Sequence, residues 1–501
     1  MIPVSTVAPA TEERAAQKQT ILLLTSSLLV DRVFLHTAIL EHLYQTANVV
    51  VWATSAGNGW PAELRSNGRR VEPFPEVQPF KEFPYNFLRR FNELVWDYRL
   101  RTPSRMSVRQ HVRSKAENVK LRAMKAPARL VSLLGTERQL ESAIERLLLS
   151  YPRSPEAAAR LTEERPSVLV TTGPFQYEQP AVFSAARKLG IPTLAYIPSW
   201  DNISTKNRML FRYDGYVVWN EQMKKELTKF YPQAAGKPIY TIGAPQFDVF
   251  RQAKFRRSKE EFCREQGLDP NLPIIVYAIG SPNFLQEHHG AVYFARRVAE
   301  GALGNVQLLV RPHPIHDNAE MKDLFSQFSP RVRLQASPNA GLALTERTQD
   351  EDQITEWVNT FRHADVVVNL SSTVTIDAAI FDKPVVNLDF DPQPGQADQE
   401  LIKDVNHLWT HFKPIAESGG VWLVNDFDEL ESAVRAYLDD PSLHREQRKW
   451  IVDHVCGYAD GRCGERMAAA ILDFANITAD RSRERRPDST RPSPEISSAY
   501  R

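Results

Sequence analysis

The sequence predicts an α/β protein with two Rossmann-like domains, because short apolar segments alternate with amphipathic segments in two successive series. This alternation is typical of parallel sheets that are covered by helices on both faces. The chain has 501 residues, of which 42% are hydrophobic and 25% are charged. That length and composition are typical of a globular protein with two domains of ordinary size.

The first predicted domain covers residues 19–245 and follows a flexible lead over residues 1–18. Its strands are expected at residues 21–24, 49–52, 168–173, 192–198, 216–219 and 239–245. Between the second and third of these strands, residues 75–165 are rich in Arg, Leu and Glu and predict several helices. We therefore expect a helical insertion in the first domain.

A linker over residues 246–270 is expected to lead into the second domain, which covers residues 271–440. Its strands are expected at residues 272–281, 306–314, 364–372 and 383–391. Residues 441–478 predict a C-terminal helical segment. Residues 479–501 are rich in Arg, Ser and Pro and poor in large apolar side chains, so we expect a disordered tail.

Charge, cysteine content and hydropathy narrow the class of protein. The net charge of +1 argues against a nucleic-acid partner held by bulk charge. The three cysteines form neither a disulfide framework nor a zinc motif, which favours a reducing cytoplasm. The N-terminus lacks a signal-peptide core, and no apolar run approaches the roughly 20 residues that span a bilayer. We predict a cytoplasmic protein, for which any contact with the inner face of the plasma membrane would be peripheral.

Three hydroxyl residues lie where a predicted strand meets a helix in the second domain. Ser371, Ser372 and Thr373 follow the apolar run at 366–368, and Asp377 comes one turn later. In open α/β sheets, ligands bind at the carboxyl ends of the strands, and a helix N-terminus there attracts phosphate. We predict that the hydroxyls bind phosphate oxygens and that Asp377 accepts hydrogen bonds from a ribose. The alternative is an ordinary capped helix with a solvated carboxylate.

A second strand end carries Arg311 and His313, each followed by a proline. Arg311 can bind phosphate in a bidentate fork, and His313 can donate to a phosphate oxygen or move a proton. The alternative is a stiff strand exit whose arginine pairs with a carboxylate. Ser281 follows Gly280 at a third strand end, where a glycine lets a ligand approach the backbone.

The first domain offers polar residues at two strand ends. Thr172 and Gly173 follow one strand, with Glu178 just beyond. The next strand leads into a stacking aromatic, a carboxylate, an amide and a basic residue, namely Trp200, Asp201, Asn202 and Lys206. Such a set suits a sugar or another polyol, and the alternative is a turn stabilised by Asp and Asn side chains. We therefore predict an acceptor site here.

Metal and cofactor sites are not expected. Asp389 and Asp391 match a metal-binding Asp-x-Asp pattern, but such triplets are frequent by chance. The neighbouring pair His288 and His289 is more typical of a surface than of a metal site. We predict a metal-independent protein without a cofactor, in which nucleotide enters as a substrate.

Four stretches together resemble the GT-B glycosyltransferases, and within them the bacterial surface-polysaccharide group that includes CDP-glycerol glycerophosphotransferases and capsule glycosyltransferases. They are RPHP at 311–314, SSTVTIDAAIFDKPVVNLDFD at 371–391, DGRCGERMAAAI at 460–471 and SWDNISTKNRM at 199–209. The resemblance covers roughly residues 165–475 and implies two domains facing a central cleft. It implies that the donor diphosphate sits on Ser371, Ser372 and Thr373, and that Asp377, where the family often has Glu, holds the ribose.

The resemblance leaves several functions open. The leading hypothesis is a glycosyltransferase for the cell envelope, which moves a sugar from a nucleotide-sugar donor to a surface glycan or a lipid-linked acceptor. Asp201 or Glu178 would then deprotonate the acceptor. The second is a polyol-phosphate transferase that uses CDP-glycerol or a similar donor, with His313 acting at phosphorus. A nucleotide-sugar 2-epimerase comes third, together with a non-catalytic scaffold, against which the retained Arg311 and His313 count.

The helical insertion carries a local excess of positive charge. Residues 101–130 contain nine Lys and Arg residues against Glu117 alone, interleaved with apolar residues such as Met124 and Leu130. A helix of this kind can lie on an anionic membrane. The alternatives are a basic patch that receives the acceptor's phosphate and a solvated face whose apolar residues pack on the first domain.

Overall fold

Two parallel β-sheets organise the protein in the computed structural model, which describes residues 18–484 apart from residues 27, 55–59, 114–118, 152, 283, 341 and 343–348. The sheets have seven and six strands, and all strand pairs are parallel. The prediction of two Rossmann-like domains is confirmed. The predicted lead, except for its last residue, and residues 485–501 of the predicted tail lie outside the described residues.

The first sheet has the strand order β3-β2-β1-β4-β5-β6-β7. Its strands are β1 Thr20–Thr25, β2 Asn48–Ala53, β3 Arg70–Pro73, β4 Val168–Thr171, β5 Thr193–Tyr196, β6 Gly215–Val218 and β7 Ile239–Thr241. The central strands are fully buried, as is typical of a parallel sheet with helices on both faces.

Eleven α-helices accompany this sheet among the described residues. They are α1 Leu28–His36, α2 Ile39–Thr46, α3 Trp60–Ser66, α4 Tyr85–Leu100, α5 Pro103–Val108, α6 Val119–Leu133, α7 Glu137–Ser150, α8 Pro155–Glu164, α9 Gln179–Lys188, α10 Asn202–Thr205 and α11 Glu221–Phe230. Helices α4 to α8 lie between β3 and β4, in the segment where the sequence predicts an insertion. A π-helical turn, Arg109–Arg113, extends α5.

The predicted linker is helical rather than extended. Two 3-10 helices, Pro245–Arg251 and Ala253–Phe255, precede α12, which spans Lys259–Gln266. Ser258 caps α12 in a capping box with Glu261, which fixes the start of this helix.

The second sheet has the strand order β10-β9-β8-β11-β12-β13. Its strands are β8 Ile274–Ala278, β9 Gln307–Arg311, β10 Val332–Leu334, β11 Val366–Asn369, β12 Val385–Leu388 and β13 Trp422–Val424. The helices that follow the linker are α13 His288–Ala299, α14 Asn318–Phe325, α15 Glu351–His363, α16 Val374–Ile380, α17 Gln399–His407, α18 Lys413–Glu417, α19 Phe427–Asp439, α20 Arg445–Cys456 and α21 Cys463–Glu484.

The C-terminal helices differ from the prediction of one helical segment and a disordered tail. Helix α20 packs on α16 of the second domain, whereas α21 returns to the first domain and packs on α2. The ring of Phe474 fills the space beside Gly215, and Tyr240 donates a hydrogen bond to Asp473 at 2.7 Å. The prediction of disorder from residue 479 is wrong over its first six residues, because α21 continues to Glu484.

Candidate functional site

The carboxyl ends of four strands in the second sheet lie side by side. Ala278 of β8 is the register partner of Arg311 in β9 and of Asn369 in β11, and Asn369 is in turn the partner of Asn387 in β12. The loops that carry the predicted residues therefore begin in one row. This row is the edge of an α/β sheet at which ligands bind.

Arg311 ends β9 with its side chain partly exposed, and a neighbour fixes its orientation. Its Nη1 donates to Oε1 of Gln335 at 2.5 Å, and Nε2 of Gln335 donates to the Thr360 hydroxyl at 2.9 Å. Burial lowers the pKa of Arg311, and the carboxylates of Glu356 and Asp377 oppose that change. A guanidinium held from one side keeps its other N–H groups for an anion.

His313 is partly exposed and fixed by the backbone. The amide of Ile315 donates to Nδ1 of His313 at 3.2 Å. An amide can only donate, so Nδ1 is the acceptor and the neutral ring carries its proton on Nε2. This tautomer suits donation to a phosphate oxygen.

The three consecutive hydroxyls divide into three roles. Ser371, at φ 46°, donates to Oδ1 of Asn406 at 2.5 Å and is buried. Ser372 accepts from the amide of Val374 at 3.3 Å and so caps α16. Thr373 is exposed. Asn406 accepts the Ser371 hydroxyl and Asn369 accepts the Ser372 hydroxyl at 3.2 Å, so Thr373 has the most accessible hydroxyl of the three. The binding of phosphate by these hydroxyls stays a prediction.

Asp377 lies inside the protein rather than at its surface. Its side chain is only 7% exposed, and it accepts from Nε1 of Trp357 at 3.2 Å. Burial raises the pKa of Asp377 to about 6, against the opposing effects of Trp357, Arg32 and Arg311. In this conformation Asp377 is buried near the opposite charges of Arg32 and Arg311, and its contact with a ribose stays a prediction.

Arg32, from α1 of the first domain, reaches into the second domain. Its guanidinium lies over the Trp357 ring at 4.1 Å from the centroid, and its Nη2 donates to Gln246 at 3.2 Å. Burial lowers the pKa of Arg32 to about 10. Arg32 and Arg311 line one cavity of about 120 Å³, together with Trp357 and Gln335. One arginine from each domain therefore faces the same space.

The Asp-x-Asp pattern has protein partners on both carboxylates. Asp389 accepts from Lys403 at 2.7 Å and contacts His407 at 2.9 Å. Asp391 accepts the amide of Asp398 at 2.7 Å. Over the described ranges, no group of three His, Cys, Asp or Glu side chains is arranged to hold a metal ion.

In the first domain, the residues after β4 are used within the protein. The amides of Thr172 and Gly173 donate to Oε1 of Gln179 at 3.0 and 2.9 Å, and the Thr172 hydroxyl donates to the carbonyl of Leu24 at 2.7 Å. Both residues are buried. Every polar group named here has an internal partner, and the role of these two residues in acceptor binding stays a prediction.

Glu178, just before α9, is partly exposed and paired with Lys81 at 2.7 Å. Burial favours a higher pKa for Glu178, but hydrogen bonds and charge from Lys81 bring it below its usual range. The carboxylate is therefore ionised at neutral pH and can accept a proton from a bound hydroxyl.

The loop after β5 lies beneath the second domain. Trp200 is buried, with its ring centroid 4.8 Å from that of His411 and 6.2 Å from that of Phe412. Asn202 is also buried and donates to Oδ1 of Asp201 at 3.1 Å, whereas Lys206 is exposed. The second domain covers Trp200 in this arrangement, and the role of Trp200 and Asn202 in acceptor binding stays a prediction.

Asp201 is stabilised as a carboxylate. Burial alone would raise its pKa, but His411, Lys206 and the hydroxyls of Ser199 and Thr205 lower it. Burial lowers the pKa of His411 to about 4, so its imidazole is neutral at pH 7. Asp201 and His411 come from different domains, so this pair lies at the domain interface.

The helical insertion also contacts the second domain. The amide of Thr410 donates to the Ser104 hydroxyl at 2.6 Å, and Nε1 of Trp409 donates to Ser107 at 2.9 Å. His111 lies 3.1 Å from the carboxylate of Asp404. Helix α5 and its π-helical extension therefore join the two domains beside the Trp200 loop.

Sequence reasoning missed Arg32, Trp357, Gln335 and His411. Arg32 lies in an amphipathic helix, and Trp357 and Gln335 lie between predicted strands without a recognisable motif. His411 follows an Asn-His-Leu-Trp stretch with no chemical pattern. Only the meeting of the two domains brings Arg32 and His411 to these places.

The chain is similar to one protein family and to solved structures that share its fold. The model of the family described as CDP-glycerol:poly(glycerophosphate) glycerophosphotransferase matches residues 185–473. A Listeria monocytogenes protein assigned to the UDP-N-acetylglucosamine 2-epimerases superposes with a TM-score of 0.51 at 14% identity, over 92% of this chain and 97% of that one. No curated protein matches the chain.

The complex of Staphylococcus aureus MnaA with UDP superposes with a TM-score of 0.50 at 10% identity, over 92% of this chain and 97% of that one. At such identities the likeness shows the fold, which is the two-domain GT-B arrangement. The family match covers more than half of the chain. The protein is a GT-B-type transferase and belongs to the CDP-glycerol:poly(glycerophosphate) glycerophosphotransferase family.

Proposed function

We propose that the protein transfers a polyol phosphate from a CDP-activated donor, of which CDP-glycerol is the type, to a hydroxyl of a surface polymer or its lipid-linked precursor. The observation that carries the proposal is the row of Arg311, His313, Ser372 and Thr373 at one sheet edge, in a chain of this family. This was the second hypothesis from the sequence, and the family match now favours it over sugar transfer.

The reaction is a displacement at phosphorus. The acceptor oxygen forms a bond to the phosphorus that bears the polyol, and the bond from that phosphorus to the bridging oxygen breaks. CMP leaves with the electron pair, and the proton of the acceptor hydroxyl passes to a base. Negative charge therefore grows on the leaving phosphate, where positioned donors stabilise it.

The donors for that charge come from two loops. Arg311 offers the N–H groups that Gln335 does not use, and His313 offers Nε2–H. Thr373 supplies an exposed hydroxyl at the start of α16. Arg32 adds a second positive charge from the first domain at the same cavity. These groups would take the place of a metal ion.

Two first-domain carboxylates are candidates for the base. Glu178 is ionised beside Lys81 and has the more accessible side chain. Asp201 is ionised too, but His411 and the second domain cover it, so it requires the domains to separate. The structure therefore supports Glu178 for the closed state and Asp201 for an open one, and His313 remains the third candidate.

Sugar transfer is the competing function, and the nucleotide product distinguishes the two. Attack at phosphorus releases a nucleoside monophosphate, whereas attack at a sugar carbon releases the diphosphate. The test incubates the protein with CDP-glycerol and with UDP-, GDP- and CDP-linked sugars, in the presence of a glycerophosphate-primed acceptor, and identifies the nucleotide by anion exchange. We expect CMP from CDP-glycerol, and its loss in His313→Ala but not in the control His289→Ala. Release of a nucleoside diphosphate from a sugar donor would support the glycosyltransferase instead.

A lipid-linked acceptor would place the protein beside a membrane, and the insertion has a surface for it. Leu130, Leu133 and Leu134 at the end of α6 are 58%, 75% and 66% exposed, and Arg122 and Arg129 beside them are exposed as well. None of the described helices is long and apolar enough to pass through a bilayer. Exposed leucines between arginines fit the headgroup region of an anionic bilayer.

Charge and exposure are uneven within residues 101–134. Arg105 and Arg109 are ion-paired with Asp97, and Met124 is buried against α4. The side chains of residues 112–121 lie outside the described part of the chain. Among the described side chains of this region, Leu130, Leu133 and Leu134 are the most exposed large apolar residues, and Met106 is 40% exposed.

Liposome flotation tests the membrane proposal. We expect the protein to float with anionic vesicles at low salt, to bind neutral vesicles poorly and to dissociate at high salt. Leu133→Asp with Leu134→Asp should abolish flotation, whereas Leu408→Asp, at a comparably exposed leucine of the second domain, should not. Equal flotation of both variants would remove the leucines from the membrane surface.

A further inference from the structure

A buried carboxyl lies beneath the loops that carry the donor-site residues. Glu287 immediately precedes α13 and is 2% exposed. Its Oε2 accepts the amide of Gly280 at 2.7 Å. Its Oε1 has no hydrogen-bond partner among the described residues. A carboxyl that is buried with one oxygen unpaired is costly, so its presence calls for a role.

Glu287 connects two neighbouring loops. Gly280 follows β8 and precedes Ser281, whereas Leu370 follows β11 and precedes Ser371. Burial raises the pKa of Glu287 to about 8, and hydrogen bonds from the amides of Gly280 and Leu370 oppose that rise. Glu287 therefore holds the first residue of the loop after β8 by a 2.7 Å hydrogen bond and lies beside Leu370, at the start of the loop after β11.

The third loop joins through the other side of Gly280. The carbonyl of Gly280 accepts from Nε2 of His316 at 3.2 Å, and the amide of His316 donates to the carbonyl of His313 at 2.9 Å. His316 is buried, so this contact is shielded from water. Gly280 is thus the point at which the loops after β8 and β9 are joined, and Glu287 beneath it lies beside the start of the loop after β11.

We infer that Glu287 is a positioning residue for donor binding, which holds the loops of Ser281, His313 and Ser372–Thr373 at fixed spacing through Gly280 and Leu370. The identity of the donor rests on the proposed function, but the bracing itself does not. Glu287 lies below the loops and is buried, so it acts on the donor only through them. Two other titratable groups lie near Glu287. Tyr277 of β8 has a buried hydroxyl that is likewise unpaired among the described residues, and His316 contacts Gly280 from the loop after β9.

The protonation of Glu287 makes its contribution to the stability of the folded protein depend on pH. Between pH 4.5, the ordinary value for Glu, and about pH 8, the folded protein holds a proton on Glu287 that the unfolded chain releases. The contribution of this group to stability therefore declines as pH rises through that window. Glu287→Gln keeps an acceptor for the Gly280 amide and removes the titration.

The test measures amide hydrogen exchange at Gly280 and Leu370, and CDP affinity by calorimetry from pH 6 to 9. In Glu287→Ala we expect at least tenfold faster exchange at both amides and at least tenfold weaker CDP binding. The control Asp248→Asn, which alters another buried carboxyl that caps α21, should leave both unchanged. Glu287→Gln should retain protection at Gly280 and flatten the pH dependence of melting temperature and affinity.

Each outcome decides the proposal. Wild-type exchange and affinity in Glu287→Ala would overturn it. If that variant does not fold, Glu287→Gln carries the test, and a pH dependence identical to that of the wild type would overturn it. If the wild type itself binds no CDP, the proposed function fails. The exchange rates at Gly280 and Leu370 then still test whether Glu287 holds the loops.

Discussion

The strand ends of the second domain and the loop after β5 in the first domain look equally functional in sequence, yet the structure uses them differently. Arg311, His313 and Thr373 keep accessible atoms at one sheet edge. Trp200 is buried against the other domain, and the donors around Asp201 are its own neighbours. Clusters of polar residues at strand ends therefore mark either a ligand site or a domain contact, and burial distinguishes the two.

The two regions also differ in the pKa shifts of their charged side chains. In the second domain, burial lowers the pKa of Arg311 and raises that of Asp377. Such shifts are expected where a buried charge is not fully compensated by an opposite charge or by hydrogen bonds. In the first domain, hydroxyls, His411 and Lys206 bring the pKa of Asp201 below its usual range. A site whose electrostatics are incomplete is the better candidate for binding a charged donor.

The largest effect is expected for Arg311→Lys, which tests the proposed ligand site at the strand ends of the second domain. A lysine cannot hold Gln335 and a phosphate at once, because it has no planar fork. We expect kcat/KM for CDP-glycerol to fall on the order of 100-fold, since two charge-assisted bonds are affected. The rate of CMP release measures this fall in kcat/KM, and Arg331→Lys at the amino end of β10 is the matched control. Turnover close to wild type would make Arg311 a structural residue.

Trp200→Ala tests whether the loop after β5 in the first domain is a domain contact. If Trp200 is an interface residue, its removal leaves a cavity beside His411 and Phe412. The unfolding free energy should fall by about 3–5 kcal/mol. Trp450, which is 42% exposed against 7% for Trp200, provides the control, and Trp450→Ala should cost less than ~1 kcal/mol. Thermal melts report both. Unchanged stability with lost acceptor binding would restore Trp200 to the acceptor site.

The smallest effect is expected from chelation. Asp389 and Asp391 are paired with protein groups, and the positive charge at the donor site comes from Arg311 and Arg32. We expect CMP release to be unchanged, within experimental error, after treatment with EDTA. Loss of activity that Mg²⁺ or Mn²⁺ restores would contradict a metal-independent reaction.

Central strands were predictable from sequence, whereas three of the four edge strands were not. The fourth, β7, lies within the strand predicted at 239–245. The buried runs of β1, β2, β8 and β11 are continuous and apolar, so their pattern is unambiguous. Strands β3, β10 and β13 escaped prediction because they have three or four residues at or near the sheet edges and are only partly buried. Short edge strands owe their conformation to a neighbouring strand rather than to their own sequence.

The candidate site was predictable where backbone position alone decides it. Arg311, His313 and Thr373 follow strands directly, so topology brings them together. The sequence did not reveal Trp357 and Arg32, the partners of Asp377, because they come from α15 and from the other domain. Nor did it reveal that Asn406 of α17 accepts the Ser371 hydroxyl. Such partners depend on tertiary packing, which local sequence does not record.

The central claim is that the start of α16 binds the donor's diphosphate, and calorimetry of CDP-glycerol binding to Ser372→Ala with Thr373→Ala tests it most directly. Each lost hydrogen bond to a charged phosphate should cost ~1.5–3 kcal/mol, so affinity should fall at least tenfold. The melting temperature should change little, because only the Ser372 cap is structural. The control Ser432→Ala with Thr162→Ala, both exposed, should bind like the wild type. Unchanged affinity in the Ser372 and Thr373 variant would contradict the account.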